Sequence, residues 1–145
     1  MKTLVIGSGA MAPSLALCLT LAGHHTILVA RRSEALTQAE SAVDIAYREL
    51  EEAGLLPAMS PGWRDRLAFS TDLASAAAGI DFAFEAIAED ADIKQPIFAA
   101  IEQAAPPQAI LTSTTSGMAV DIIAEKCTDK GRVAVAHFAN PPHLM

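Results

Sequence analysis

Residues 2–12 read KTLVIGSGAMA. The run from Lys2 to Ile6 is short, apolar and closed by Gly7, which reads as a buried strand. From Ala10 the chain continues AMAPSLALCLTLAG, an apolar helix that ends at Gly23. Between them, Gly7-Ser8-Gly9-Ala10-Met11-Ala12 fits G-x-G-x-x-G/A. Alone the pattern is weak, because a strand-to-helix junction can need glycine without binding anything. It gains meaning from lying between a strand and a helix near the N-terminus, where a dinucleotide-binding fold requires it. Gly7 can adopt the tight turn, Gly9 lets a pyrophosphate approach the backbone, and Ala12 permits close helix–strand packing. The helix then offers free N–H groups and its positive end to the phosphates. Pro13 costs little there, since N–H groups of the first turn lack helical partners anyway.

Strand and helix alternate through the rest of the chain. HTILVA (25–30) reads as a second strand. SEALTQAESAVDIAYRELEEAG (33–54) reads as a long helix, with Ser33 as N-cap and a stripe of Leu36, Ala39, Val43, Ala46, Tyr47 and Leu50. LLPAMSPGWRD (55–65) is a connecting region. RLAFSTDL (66–73) is a brief strand, with Thr71 or Asp72 capping LASAAAG. IDFAFEAI (80–87) is a strand, and EDADIKQPIFAAIEQAA (89–105) a helix with Pro96 near its first turns. PQAILTST (107–114) is a strand, AVDIIAEKC (119–127) a helix and GRVAVAHF (131–138) the last strand. This order predicts an α/β, Rossmann-type, doubly wound sheet, mainly parallel, with helices on both faces.

At 145 residues the chain is one domain, residues 1–145. Its 52% apolar and 19% charged residues describe a globular chain. A formal net charge of −7 argues against nucleic acid and anionic membranes as partners. Cys18 and Cys127 lie in apolar or helical stretches without metal-ligand spacing, and read as two buried reduced thiols of a cytoplasmic protein. MAPSLALCLTLAG follows a strand and a glycine turn, so it is not a secretory segment, and it is too short to span a bilayer.

The end of the second strand usually carries an acidic residue for the ribose hydroxyls. Here Ala30, Arg31 and Arg32 stand there. Two guanidinium groups would attract a 2′-phosphate, and a charge-assisted hydrogen bond is worth about 1.5–3 kcal/mol. The expected cofactor is NAD or NADP, with NADP favoured. The alternative is an arginine pair that is solvated or stacks on adenine.

Taken together, VIGSGAMA (5–12), FEAIAEDADIK (84–94), TSTTSGM (112–118) and above all HFANPPHLM (137–145) resemble the NAD-binding domain of the 3-hydroxyacyl-CoA dehydrogenase family. The resemblance covers the whole chain. It implies that His137 is the general base that takes a hydroxyl proton while hydride leaves for the nicotinamide. It implies that Asn140 lies beside nicotinamide and substrate oxygen, and that Ser116 hydrogen-bonds that oxygen. Glu89 and Lys94 match acidic and basic residues near the nicotinamide end of the cofactor. Plainer readings stand beside these: a core histidine, a helix-capping serine, and a first-turn charge pair. His24, His25 and His143 lack a partner pattern and read as surface or loop residues.

The sequence departs from the family at Ala30, and at Thr114, where asparagine is frequent. The family also has a glutamate beyond the histidine that orients it, and a helical second domain that covers the acyl chain and forms a homodimer. Neither lies within these residues, so the chain reads as the N-terminal portion of a longer enzyme. The substrate implied is a 3-hydroxyacyl-CoA. The alternatives are a small free hydroxy acid of the gulonate or carnitine type, or a non-catalytic dinucleotide sensor or structural protein.

Overall fold

The computed structural model describes residues 1–58 and 61–145; residues 59 and 60, inside the connecting region, lie outside them. Six strands form one sheet: β1 (Lys2–Ile6), β2 (His25–Val29), β3 (Leu67–Ser70), β4 (Phe82–Glu85), β5 (Ile110–Ser113) and β6 (Val133–Val135). Their order is β3-β2-β1-β4-β5-β6 and every pairing is parallel. The helices are α1 (Met11–Leu21), α2 (Ser33–Glu52), α3 (Leu73–Ala77), α4 (Ala91–Ala104) and α5 (Val120–Ile123). This is the Rossmann arrangement that the alternation predicts.

The strands alternate their burial between two cores, as period-two side chains must. Leu4 and Ile6 pack with Ile80, Phe98, Ile101 and Ile123 on the face covered by α3, α4 and α5. Val5 and Leu28 pack with Ala12, Leu15 and Ala39 on the face covered by α1 and α2. The α2 stripe is where the periodicity puts it: Ala39, Val43, Ala46 and Leu50 are buried. Trp63 closes that layer and stacks on Tyr47 at 4.9 Å.

Four local expectations are corrected. Ser33 does not cap α2: the Leu36 amide already donates to the Arg32 carbonyl, so the helix begins one residue earlier, and Arg32 holds the cap position without a side-chain bond. The helix expected over 119–127 is only Val120–Ile123, because Glu125 and Cys127 make tighter i→i+3 bonds that end it. The last strand stops at Val135: Ala136 makes its final bond to Ser113, where β5 itself ends, and residues beyond have no neighbour to pair with. Cys127 is buried but Cys18 is half-buried, since it lies outside the apolar clusters that cover α1. Burial raises the pKa of both thiols. Asp72, by contrast, caps α3 as expected, accepting the Ser75 amide at 3.1 Å. No helix among the described residues is long and apolar enough to cross a membrane.

Candidate active site

The strand order reverses between β1 and β4, and ligands of open α/β sheets bind beyond the C-terminal strand ends at such a point. Gly7 sits there with φ 130°. A Cβ on it would lie 2.3 Å from the Ala86 carbonyl oxygen, so the turn after β1 fits against the end of β4 only as glycine. Its amide donates to the Val29 carbonyl at 2.9 Å, tying the turn to β2 as well. Gly9 has nothing within 4 Å of where its Cβ would be. Its backbone is open to whatever occupies the space ahead.

That space is a cleft of about 850 Å³. Gly7, Ser8, Gly9, Ala10 and Met11 form one wall. The α1 cap residue, Ala10, supplies no side-chain acceptor, which leaves the helix N-terminus without a side-chain cap. Ala12 lies behind the wall, fully buried against the sheet. Ala30 and Arg31 come from the end of β2, and Arg31 lines the cleft, whereas Arg32 is exposed outside it. Ile87, Ile93 and Ile97 make an apolar wall, with Asp92 and Pro96 beside them. The bare glycine backbone, the uncapped helix and the apolar wall fit a dinucleotide's phosphates and flat rings.

Thr114 also lines the cleft. The Nδ1 of His137 lies 3.4 Å from its carbonyl oxygen. Ser116, His137 and Asn140 are all exposed and do not line the cleft itself; His137 meets it through Thr114. Glu89 is also exposed, and accepts a hydrogen bond from the Thr115 hydroxyl. That bond, with Lys94 nearby, holds the Glu89 carboxyl below its usual range.

Lys94 does pair with Glu89, but from within a buried cluster. It is 1% exposed, and its ammonium donates to both oxygens of Glu85, at 2.7 and 2.9 Å, with Glu89 at 3.3 Å. Glu85 is fully buried, and also accepts from the Ser113 hydroxyl at 2.6 Å and the Ile87 amide at 2.7 Å. Ser113 in turn accepts the Thr115 amide at 3.2 Å. A buried ionic cluster therefore fixes the loop after β5, whose Thr114 carbonyl meets His137. Glu85, Ser113 and Thr115 are the residues that sequence reasoning missed. The available signal was a carboxylate inside the apolar strand FAFE, with a lysine nine positions on.

His143 also departs from expectation. Its side chain is 5% exposed and bonded at both ring nitrogens, to Ser14 and Glu49. Among the described residues no group of three or more His, Cys, Asp or Glu side chains could hold a metal ion.

Against known proteins, the family model described as "3-hydroxyacyl-CoA dehydrogenase, NAD binding domain" matches residues 2–145. The chain belongs to this family. It is 34% identical over 142 residues to 3-hydroxyadipyl-CoA dehydrogenase of Escherichia coli K12, covering 97% of this chain and 30% of that protein. It is 31% identical over 144 residues to L-carnitine dehydrogenase of Bacillus cereus, covering 99% and 43%. The crystal structure of 3-hydroxybutyryl-CoA dehydrogenase from E. coli K12 superposes with a TM-score of 0.91 at 33% identity, over 100% of this chain and 31% of that one. The chain spans less than half the length of these relatives.

Proposed function

We propose that this 3-hydroxyacyl-CoA dehydrogenase NAD-binding domain is the dinucleotide half of an oxidoreductase. The enzyme moves hydride between a 3-hydroxyacyl-CoA and a nicotinamide dinucleotide. The observation that carries the reading is the contact between His137 and Thr114, because Thr114 belongs both to the cleft lining and to the histidine's surroundings. With Nδ1–H directed at the Thr114 carbonyl, Nε2 keeps its lone pair, the form a general base needs. Such a base contributes about 10²–10⁴-fold. Ser116 and Asn140 are proposed to contact the substrate's reacting oxygen. Gly7 to Ala12 and Arg31 are proposed to hold the cofactor, which supplies the hydride acceptor. Glu89 acts at the nicotinamide end, and Lys94 acts through it.

Ala30 leaves no carboxylate where a 2′-phosphate would lie, and Arg31 adds a cation to the cleft. Both favour NADP over NAD, while the family model names NAD. The family resemblance implies a second, helical domain that covers the acyl chain, orients His137 and forms a homodimer, and the relatives are long enough to hold one. The reading rests on a cytoplasmic setting without nucleic acid or membrane as partner. The similarity to L-carnitine dehydrogenase favours one second reading, a small free hydroxy acid as substrate.

The deciding experiment uses the full natural polypeptide with 3-hydroxybutyryl-CoA and with L-carnitine, and with His137→Ala beside the wild type. Turnover of the thioester that drops at least about 100-fold in the variant, with dinucleotide binding retained, is the expected result. Faster turnover of carnitine favours the second reading. Dinucleotide binding without turnover of either compound by the wild type identifies a sensor or structural protein, and unchanged turnover in the variant removes His137 as the base; either overturns the proposal.

A further inference from the structure

His143 lies in a single 3-10 turn, Pro142–Leu144, three residues beyond Asn140. Its Nδ1 is 2.7 Å from the Ser14 hydroxyl, and its backbone amide donates to the same oxygen at 3.1 Å. Its Nε2 is 2.8 Å from a Glu49 carboxylate oxygen. One neutral tautomer satisfies all three bonds. Ser14 accepts the amide proton and donates its own to Nδ1, and Nε2–H donates to Glu49. Ser14 is 4% exposed, on the fourth residue of α1, and Glu49 is on α2. Ser14 is no candidate nucleophile: it is buried and does not line the cleft.

The other side of the same segment has a second anchor. Phe138 packs into the cluster that contains Val5 and Ala12, and meets Phe84 edge-on at 6.2 Å. Between Phe138 and His143 run Ala139 and Asn140, both exposed, and the half-buried Pro141 and Pro142. Exposed residues hold a position only through the anchors that flank them. One anchor is apolar and presses on the sheet. The other is polar and grips α1, the helix whose N-terminus opens on the cleft.

We propose that Ser14 and His143 form a latch that positions the His137–Asn140 segment against the dinucleotide-binding helix. This rests on the reading that the segment faces the cofactor. The latch makes α1 a shared frame, with the cofactor's phosphates at its first turn and the catalytic segment tied to its fourth residue. Glu49, half exposed, holds the other ring nitrogen.

The test compares wild type with Ser14→Ala, His143→Leu and His143→Asn, the last placing an amide oxygen near the position of Nδ1. Amide hydrogen exchange at His143 and Leu144 should quicken about tenfold or more in Ser14→Ala and His143→Leu. It should return toward the wild-type rate in His143→Asn, with β1 and β4 amides unchanged throughout. In the same samples NADH should bind within about twofold of wild type. The shift that NADH induces in the His137 ring resonances should shrink in Ser14→Ala and recover in His143→Asn. Unaltered exchange at 143 and 144, or an increase spread evenly over the sheet, would overturn the latch. If the wild type binds neither NADH nor NADPH, the proposed function fails instead, and the exchange rates alone still decide the latch.

Discussion

The Ala86 carbonyl oxygen stands 2.3 Å from where a Cβ of residue 7 would be. Residue 7 also has φ 130°, which side chains other than glycine's rarely adopt. Gly7→Ala therefore meets two costs, overpacking of about 1–3 kcal/mol and backbone strain of about 1–3 kcal/mol. Gly9 is the contrast, with open space at the same atom and a place in the cleft wall. Gly9→Ala should unfold like the wild type yet bind dinucleotide about tenfold or more weakly, ~1.4 kcal/mol. Thermal unfolding and NADH fluorescence titration on both variants check the pair. Equal destabilisation by both substitutions would mean that the two glycines do not divide the work between fold and ligand.

The buried cluster yields a second prediction. Lys94→Met removes the cation between Glu85 and Glu89 and leaves Glu85 buried with only neutral donors, the Ser113 hydroxyl and the Ile87 amide. Breaking a buried pair from one side typically costs about 3–5 kcal/mol. The loss should be visible in urea unfolding. Replacing both partners, as Glu85→Leu with Lys94→Met, should cost less than the single change, because no uncompensated charge remains. A double variant less stable than Lys94→Met would show that the backbone and hydroxyl bonds of Glu85 outweigh the ion pair.

The turn at Gly7, the strand order and the α2 stripe were legible because local rules and the global fold agree there. A glycine pattern, a period of two and a period of about four each point to one answer. What escaped was set by distance in the chain. Glu85, Lys94 and Ser113 belong to β4, α4 and β5, and only parallel registry brings their polar ends together. Ser14 and His143 are separated by 129 positions. The end of β6 was misread for a related reason: apolar residues continue, but the neighbouring strand does not. A motif gives the position of Lys94 along the chain but not the burial of its ammonium, which the fold decides.

Glu89 gives a pH prediction. The Thr115 hydroxyl and Lys94 lower its folded pKa relative to the unfolded chain. A depressed carboxyl contributes stability above its unfolded pKa, near 4.3, that fades as pH falls through the folded value. With a side chain 46% exposed, the effect is modest. The melting temperature of Glu89→Gln should lie below that of the wild type by a constant amount above about pH 5, and the two should converge as pH drops below about 4.3. A gap that stays the same from neutrality to acid would rule out ionisation of Glu89 as its source.

The arginines at the end of β2 can now be separated, because only Arg31 lines the cleft. Arg32 occupies the α2 cap position and is exposed. If Arg31 meets a 2′-phosphate, NADPH should bind more tightly than NADH, and Arg31→Ala should erase the preference. One charge-assisted hydrogen bond of about 1.5–3 kcal/mol sets the scale at roughly 10- to 100-fold. Arg32→Ala should leave the ratio of the two affinities nearly unchanged. The difference should also weaken as salt is raised, since an exposed guanidinium and a phosphate are screened over a Debye length of about 8 Å at physiological ionic strength. Tighter binding of NADH by the wild type would reverse the assignment: Ala30 would then merely lack the ribose carboxylate, and Arg31 would act on another part of the cofactor. Asp92, which lines the same cleft, is the acidic group to substitute next in that case.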